Sequence, residues 1–429
     1  MQRKYAASVP PVRGSIEDSC CARKIRFGAR DGWLDASLGV QQRLVILETS
    51  RHVLIAGAGI GGLTLACALR RAGLTATVFE RADALRWVGA GITVQMNAAV
   101  ALRRIGLCDA VAAAGASPTD SAILQPSGAT ITRLPVQQMQ QELGTPMVCI
   151  HRARLQSVLL EHAGPEHVRL GRAVTGFKDD GHQVTATLSD GSSVTGDVLV
   201  GADGLRSAVR SGLLGDAPLR YSGYTSWRGI SPEVPSARPG HVSETWGPGA
   251  RFGVVPIGSG QVYWYATLNA PPGGQDTPGA ARTRLREIFG GWHAPIPDLL
   301  AATPDDAIVR TDIHDRPPVN RWSRGRVTLL GDAAHPMTPN LGQGGCQAIE
   351  DAVVLSECLA SGAPVEAALA TYEQRRRERA NQMVSRSWRL GQLAQLESPT
   401  ARFMRDALFR LVPSSLAARG VRDLVRSAA

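Results

Sequence analysis

Gly57, Gly59 and Gly62 stand at G-x-G-x-x-G spacing in "GAGIGG", and the stretch "TATVFE" that follows ends in a carboxylate, Glu80. Such glycines let a chain turn tightly, bring its amides against a pyrophosphate and pack a helix close to a strand, while the acid meets ribose hydroxyls. The chemistry is dinucleotide recognition, with a helix N-terminus turned to the phosphates. Glu80 disfavours a ribose 2′-phosphate here, because two anions would crowd each other, so NADP is a poor tenant. A second concentration lies in "LLGDAAHPMTPNLGQGGC", Leu329 to Cys346. Asp332 can accept hydrogen bonds from sugar-like hydroxyls, Pro336 and Pro339 stiffen the chain, and Gly342 to Gly345 open a helix mouth to something flat. Such a mouth also suits delocalised negative charge. Between the two, "GDVLVGADGLRSAVR" carries Asp203 and Gly204 at a turn that, taken alone, is equally well an ordinary strand-to-helix connection.

The positioning elements are legible around these residues. "HVLIAG" is an apolar run of strand length, and "LTLACALRRAG" repeats its leucines and alanines at helical spacing. "RVTLL" predicts another buried strand leading into Gly331 and Asp332, and "CQAIEDAVVLSECLA" a helix after the glycines. Alternation in "RFGVVPI" and "QVYWYATL" predicts strands of a sheet with glycine turns.

At 429 residues the chain is long for one core, and roughly 150 residues per domain suggests two or three lobes. A net charge of +10 comes from arginines spread along the chain, without zinc-finger or RNA-binding signatures, so no nucleic-acid partner is expected. No apolar run is long enough to span a membrane. Seven cysteines, without CxxC or metal-ligand spacing, suit reduced thiols, so the expectation is a cytoplasmic protein with no disulfide framework and no metal. Residues 1–49 lack sustained periodicity and signal-peptide order; they are expected to be a disordered extension from an upstream start codon, with the functional protein beginning near Val45.

The three motifs, in this order, resemble the class A flavoprotein monooxygenases, the p-hydroxybenzoate hydroxylase-like family, from Arg51 to about Leu390. "GDAAHPMTPNLGQGGCQAIEDAVVL" and "YSGYTSWRGI" are most similar to the branch of urate hydroxylases, zeaxanthin epoxidases and bacterial aromatic hydroxylases. The resemblance implies an α/β fold: a Rossmann-like FAD-binding lobe of the GR2/PHBH type, an interleaved β-sheet substrate domain and C-terminal helices. It implies an FAD-binding part over residues 50–220 with a substrate-side insertion near 93–149, a substrate sheet over 221–310, a return to the FAD lobe over 311–395 and a helical segment over 396–429. It also implies cofactor contacts at Gly57, Gly59, Gly61, Gly62, Glu80, Arg81, Thr93, Arg152, Asp203, Asp332, Gly342, Gly344 and Gly345.

In such enzymes NAD(P)H is the reductant and O2 the oxidant, and oxygen passes from a C4a-hydroperoxyflavin to an electron-rich carbon of an aromatic, heteroaromatic or conjugated small molecule. The protein then need not supply a nucleophile, which fits the lack of Ser-His-Asp or H-E-x-x-H signals. An FAD-linked reductase or oxidase, and a non-catalytic FAD- and ligand-binding protein, stay open as alternatives. Arg251 and His335 are the candidates for catalytic roles, each set against a plain one: surface arginine, or part of the turn. Arg228 stands with Arg251, and Cys346 reads as a packing residue. Tyr224, Trp227, Trp246, Tyr263 and Trp264 supply either pocket or core. "ARFMRDALFRLVP" places Phe403, Met404, Ala407, Leu408 and Leu411 on one helical stripe. That stripe is expected to pack on its own FAD lobe, with subunit contact in a homodimer or peripheral membrane contact as the other options.

Overall fold

The run "HVLIA" forms the strand His52–Ala56, with Thr75–Phe79 parallel on one side and Val198–Gly201 parallel on the other. Val53, Leu54 and Ile55 are fully buried, as a parallel strand covered on both faces requires, and each such side chain contributes about 1.5–3 kcal/mol through burial. The computed structural model describes residues 51–85 and 90–428, so the reading of residues 1–49 lies outside the described residues. The complete sheet has six strands in the order Ser323–Arg324, Val327–Leu329, Val198–Gly201, His52–Ala56, Thr75–Phe79 and Val168–Arg169. All neighbours run parallel except the short hairpin formed by the first two. This order sets the carboxyl ends before Gly331, Ala202, Gly57 and Glu80 side by side on one edge, where open α/β sheets bind ligands.

Helix Ile60–Arg71 packs against helix Gly344–Ala360, which in turn packs on the 30-residue helix Val365–Ala394. The first contact is close because a Cβ on Gly61 would lie 2.5 Å from Leu330 Cδ2 and 3.2 Å from Ala348 Cβ.

A seven-stranded sheet runs in the order Val309–Asp315, Arg220–Pro232, Gln261–Asn269, Ala250–Gly258, His241–Trp246, Asp120–Leu124 and Thr130–Leu134, and its Tyr224 and Arg251 both bond Asn340 in the loop that follows Gly331. The hairpin Asp120–Leu134, within the stretch near 93–149 expected as a substrate-side insertion, pairs parallel with His241–Trp246 through its first strand. At the other edge the strand Val309–Asp315 straddles the boundary drawn at residue 310. The strand Gln261–Asn269 alternates as its sequence promised: Val262, Trp264 and Ala266 are buried, whereas Tyr263 and Tyr265 face the other way and are half-buried. Trp227 and Trp264 thus join Phe252, Leu285 and Phe289 in a core beneath helices Ala281–Phe289 and Ile296–Ala302. Of the expected aromatic set they are core, and Tyr263 is on the opposite face.

Helices Pro399–Leu411 and Ser414–Arg426 end the chain. The expectation that the first packs its apolar stripe on its own lobe fails: Arg405 and Asp406 are buried, and Phe403, Met404, Leu408 and Leu411 are exposed. Among the described residues no helix is long and apolar enough to cross a membrane.

Candidate functional site

Gly57 follows its strand in the left-handed region, φ +103°, and a Cβ there would lie 2.5 Å from Ala202 O. Only glycine fits, and a Cβ on Gly62 would meet Gly57 O at 2.0 Å. Gly59 differs: with φ −70° it tolerates a side chain, and a Cβ there meets nothing within 4 Å. The loop therefore closes on itself at Gly57 and Gly62 and is open at Gly59, in front of the helix that begins at Ile60. Glu80 secures this turn from the neighbouring strand. Its Oε2 accepts from Ala58 N–H at 2.9 Å and its Oε1 from Ala82 N–H at 3.0 Å. Arg81, next along, is exposed.

On the adjacent strand end, Asp203 turns back into the protein. Oδ1 accepts from Ser207 Oγ at 2.5 Å and Oδ2 from Ala208 N–H at 2.8 Å, so the carboxylate starts helix Ala208–Leu214. Asp203 lies against the dinucleotide loop, its Cα 3.0 Å from where a Gly57 Cβ would stand.

Asp332 occupies the 3-10 turn Gly331–Ala333. The residue is solvent-accessible yet deep among protein atoms, the signature of a carboxylate opening into a cleft. Burial pushes its pKa up, against the opposing charges of His335 and Arg152. Among the described residues no donor hydrogen-bonds it, so its oxygens are free for hydroxyls. The helix mouth stands beside it: a Cβ on Gly344 would be 3.8 Å from Asp332 Oδ1, one on Gly345 2.7 Å from Ile92 Cδ1, and Gly342 takes φ +63°. Thr93, on the strand Gly91–Val94, reaches the same place, with its carbonyl 3.5 Å from Cys346 Sγ. Cys346 is buried and its thiol is pushed up to about 12, which suits packing rather than redox work.

Arg152 is exposed at the start of helix Arg152–Ala163. It acts on both Asp332 and Tyr263, as Arg228 does on Tyr263. Tyr263 presses on the strand from Gly91, whose Cβ would lie 2.5 Å from the tyrosine Cγ. The glycine mouth thus adjoins Asp332 on one side and, through Ile60 Cδ1 at 3.8 Å from a Gly345 Cβ, the helix that follows Gly59, while Tyr263 lies against the strand whose Ile92 faces Gly345. A dinucleotide with a flat ring at its far end fits this donor and acceptor set: open amides at one end, free carboxylate oxygens midway, and a helix N-terminus cleared of side chains at the other.

The candidates for catalytic roles are placed differently from one another. Arg251 is buried at 2% exposure rather than on the surface. Its Nε donates to Gln395 Oε1 at 2.7 Å, Nη1 to Glu244 Oε1 at 2.9 Å and Nη2 to Asn340 Oδ1 at 2.8 Å. Burial works against its charge, but Glu244 together with Tyr224 and Tyr265 outweighs burial and raises its pKa. His335 lies under the Gly331–Ala333 turn, 1% exposed, with Nε2 2.5 Å from Asp351 Oδ2 and its ring 5.1 Å from Trp322. The bond to Asp351 braces the turn, and among the described residues Nδ1 has no hydrogen-bond partner.

Asp351 also accepts from Gly331 N–H at 3.1 Å and from Arg376 Nε at 2.7 Å. Burial alone would push its carboxyl up, but His335 and Arg376 hold it down at about 2. The folded value lies below the ordinary aspartate value of about 3.9, so its stabilisation is complete above that pH and is lost as pH falls towards the folded value. The melting-temperature gap between the parent and Asp351→Asn is expected to be full above about pH 4 and to narrow as pH falls from there towards about 2. A constant gap would contradict this role.

Sequence reasoning missed the polar clamp on the glycine mouth. Gln95 Nε2 donates to Leu341 O at 2.8 Å, Gln343 Nε2 to Gln95 Oε1 at 2.7 Å and Asn97 Nδ2 to Gln343 Oε1 at 3.0 Å. It also missed Asn340, which joins Arg251 to Tyr224, whose hydroxyl donates to Asn340 Oδ1 at 3.0 Å. Lone amides at such separations carry no local pattern.

The sequence matches the family model described as FAD binding domain over residues 50–387. It is 55% identical to the aurachin C monooxygenase/isomerase of Stigmatella aurantiaca, across 86% of this chain and 96% of that protein. It is 40% identical to the chloroplastic zeaxanthin epoxidase of Solanum lycopersicum over 80% of this chain but only 54% of that protein's length. The fold superposes on Klebsiella pneumoniae HpxO complexed with FAD and uric acid at a TM-score of 0.82, with 32% identity over 88% of this chain and 97% of that one.

Proposed function

Because the chain belongs to the family of FAD-binding flavoprotein monooxygenases, we propose that it uses NAD(P)H and O2 to hydroxylate or epoxidise a planar aromatic, heteroaromatic or conjugated molecule, with aurachin C the first compound to test. The carrying observation is the meeting of the Gly57–Gly62 turn, the unbonded carboxylate of Asp332 and the Gly342–Gly345 mouth, with Ile60 and Asp332 Oδ1 each 3.8 Å from a Cβ built at that mouth. FAD, when bound, takes electrons from NAD(P)H and delivers one oxygen atom of O2 to the substrate.

The chain's own part is binding, orientation and exclusion of water. The Gly57–Gly62 loop and the N-terminus of helix Ile60–Arg71 hold the pyrophosphate, and Glu80 meets the adenosine ribose. Asp332, with Arg152 opposite, holds the sugar-like chain. The Gly344–Ala360 helix N-terminus lies against the ring, where its partial positive charge stabilises delocalised negative charge. Asp203 holds the middle turn rather than the cofactor directly, and Arg81 stays at the solvent edge. Tyr263 and Tyr265 give the substrate a flat apolar wall with hydroxyls at its rim, and Arg251 fastens that wall to the mouth.

The FAD-loaded protein is expected to oxidise NAD(P)H slowly alone and faster with aurachin C, in a panel that also holds urate and simple phenols. Absence of stimulation by any member would favour a binding protein without turnover and overturn the proposal.

A further inference from the structure

The helix Pro399–Leu411 is mounted with its polar side inward. Arg405 Nε and Nη2 donate to Asp406 Oδ1 at 2.9 and 2.7 Å, and the guanidinium lies 4.9 Å from the Trp246 ring centre. Asp406 Oδ2 accepts from Gln125 Nε2 at 2.7 Å, and Phe409 meets Trp246 edge-on. Outward stand Phe403 at 71% exposure, Met404 at 65%, Leu408 at 62% and Leu411 at 79%, and Leu416 of the next helix is 56% exposed. With 3.6 residues per turn the four residues of the first helix fall within an arc of about 140°. This is a continuous apolar band, not a scatter of single side chains.

The charges beside the band select its occupant. Residues 396–429 hold six arginines and no lysine against Glu397, Asp406 and Asp423. Arg405 is spent on Asp406, and Arg422 pairs with Glu142. Arg410, beside Phe403 on the helical wheel, and Arg419 and Arg426 on the next helix remain exposed. A second copy meeting this face about a two-fold axis would bring both copies' Arg410, Arg419 and Arg426 to one interface, with only Glu397 and Asp423 of the segment exposed to answer them. An anionic bilayer surface offers the opposite charge at headgroup level and an apolar layer below it.

We propose that the C-terminal helices dock this protein on anionic lipid surfaces, with Phe403, Met404, Leu408, Leu411 and Leu416 entering the acyl boundary and the flanking arginines at the headgroups. The docking helix is fastened to the seven-stranded sheet through Trp246 and Gln125. The adjoining backbone is tied in as well, Gln395 Nε2 donating to Gly249 O at 3.2 Å. Binding therefore holds the seven-stranded sheet beside the bilayer.

The test is co-sedimentation of the full FAD-loaded chain with vesicles of phosphatidylcholine alone or with about one third phosphatidylglycerol. The parent is expected to bind the anionic vesicles, to bind neutral ones much less, and to be released by about 0.5 M NaCl. The triple variant Phe403→Ser, Leu408→Ser, Leu411→Ser is expected to lose at least tenfold in bound fraction while keeping its FAD, its melting temperature and its NAD(P)H oxidation rate. Arg410→Gln with Arg419→Gln is expected to weaken only the anionic-vesicle binding. The proposal fails if the parent does not sediment with anionic vesicles, or if the serine variant sediments equally well. It fails too if light scattering finds a parent dimer that the serine substitutions dissociate.

Discussion

Gly59→Asp is expected to leave the apoprotein's thermal stability intact while lowering its affinity for FAD by roughly 100-fold or more, about 2.7 kcal/mol. The position allows it. Gly59 is the N-cap of helix Ile60–Arg71 with φ −70° and ψ −179°, ordinary extended backbone, and a Cβ there touches nothing within 4 Å. Aspartate is among the best N-cap residues and favours the positive end of a helix, so the empty protein gains or keeps stability. The same carboxylate would occupy the opening at which a pyrophosphate meets the amides, and two anions would then share one desolvated site. Gly62→Ala is the contrast, because its Cβ would lie 2.0 Å from Gly57 O. That variant is expected to melt lower even without cofactor. Melting curves of the apoproteins and FAD titrations by flavin fluorescence separate the two effects. Unchanged FAD affinity in Gly59→Asp would remove the pyrophosphate from this loop.

Arg251→Ala is expected to destabilise the protein by about 3 kcal/mol and to cut kcat more than tenfold. Breaking a buried ion pair from one side costs about 3–5 kcal/mol because the other charge stays unpaired. The low end applies here, since Glu244 keeps 19% of its side chain in solvent. The effect on turnover comes from Asn340, held at one oxygen by both Arg251 and Tyr224. Asn340 Nδ2 in turn donates to Ser387 O at 2.9 Å, tying the loop that carries Gly342 to the long helix Val365–Ala394. Arg251→Lys separates the contributions. An ammonium can answer Glu244 but cannot reach Glu244, Asn340 and Gln395 at once as a planar fork does. The lysine variant should regain most of the denaturation midpoint and little of the kcat; full recovery of both would reduce Arg251 to a charge carrier.

How much of this was legible in the sequence follows from the range over which each feature is encoded. The three motif turns are local: a buried strand, then glycine or aspartate, then a helix, each within fewer than twenty residues. Their alignment on one sheet edge follows from parallel pairing, which the continuous apolar runs announced. The polar fastenings are not local. Arg251 meets Gln395, beyond where the family resemblance fades, and Gln95 meets Leu341 and Gln343 from the other end of the chain. The hairpin Asp120–Leu134 lies in the stretch expected on the substrate side, but its pairing was not legible, because short strands do not declare their partner and this one joins in parallel to a strand far along the chain. The stripe on helix Pro399–Leu411 was legible, but its direction was not. Arg405 and Asp406 look like a solvated pair in sequence, and only the Trp246 ring and Gln125 waiting for them turn that side inward.

Labelled oxygen tests the central claim most directly. With FAD-loaded protein, NAD(P)H, a substrate that stimulates its oxidation and an 18O2 atmosphere, product mass spectrometry is predicted to find one 18O atom per product molecule, and none when the label is supplied as H218O. Conversion of substrate without any 18O from O2 would contradict monooxygenation and move the protein to the reductases or oxidases of the same fold.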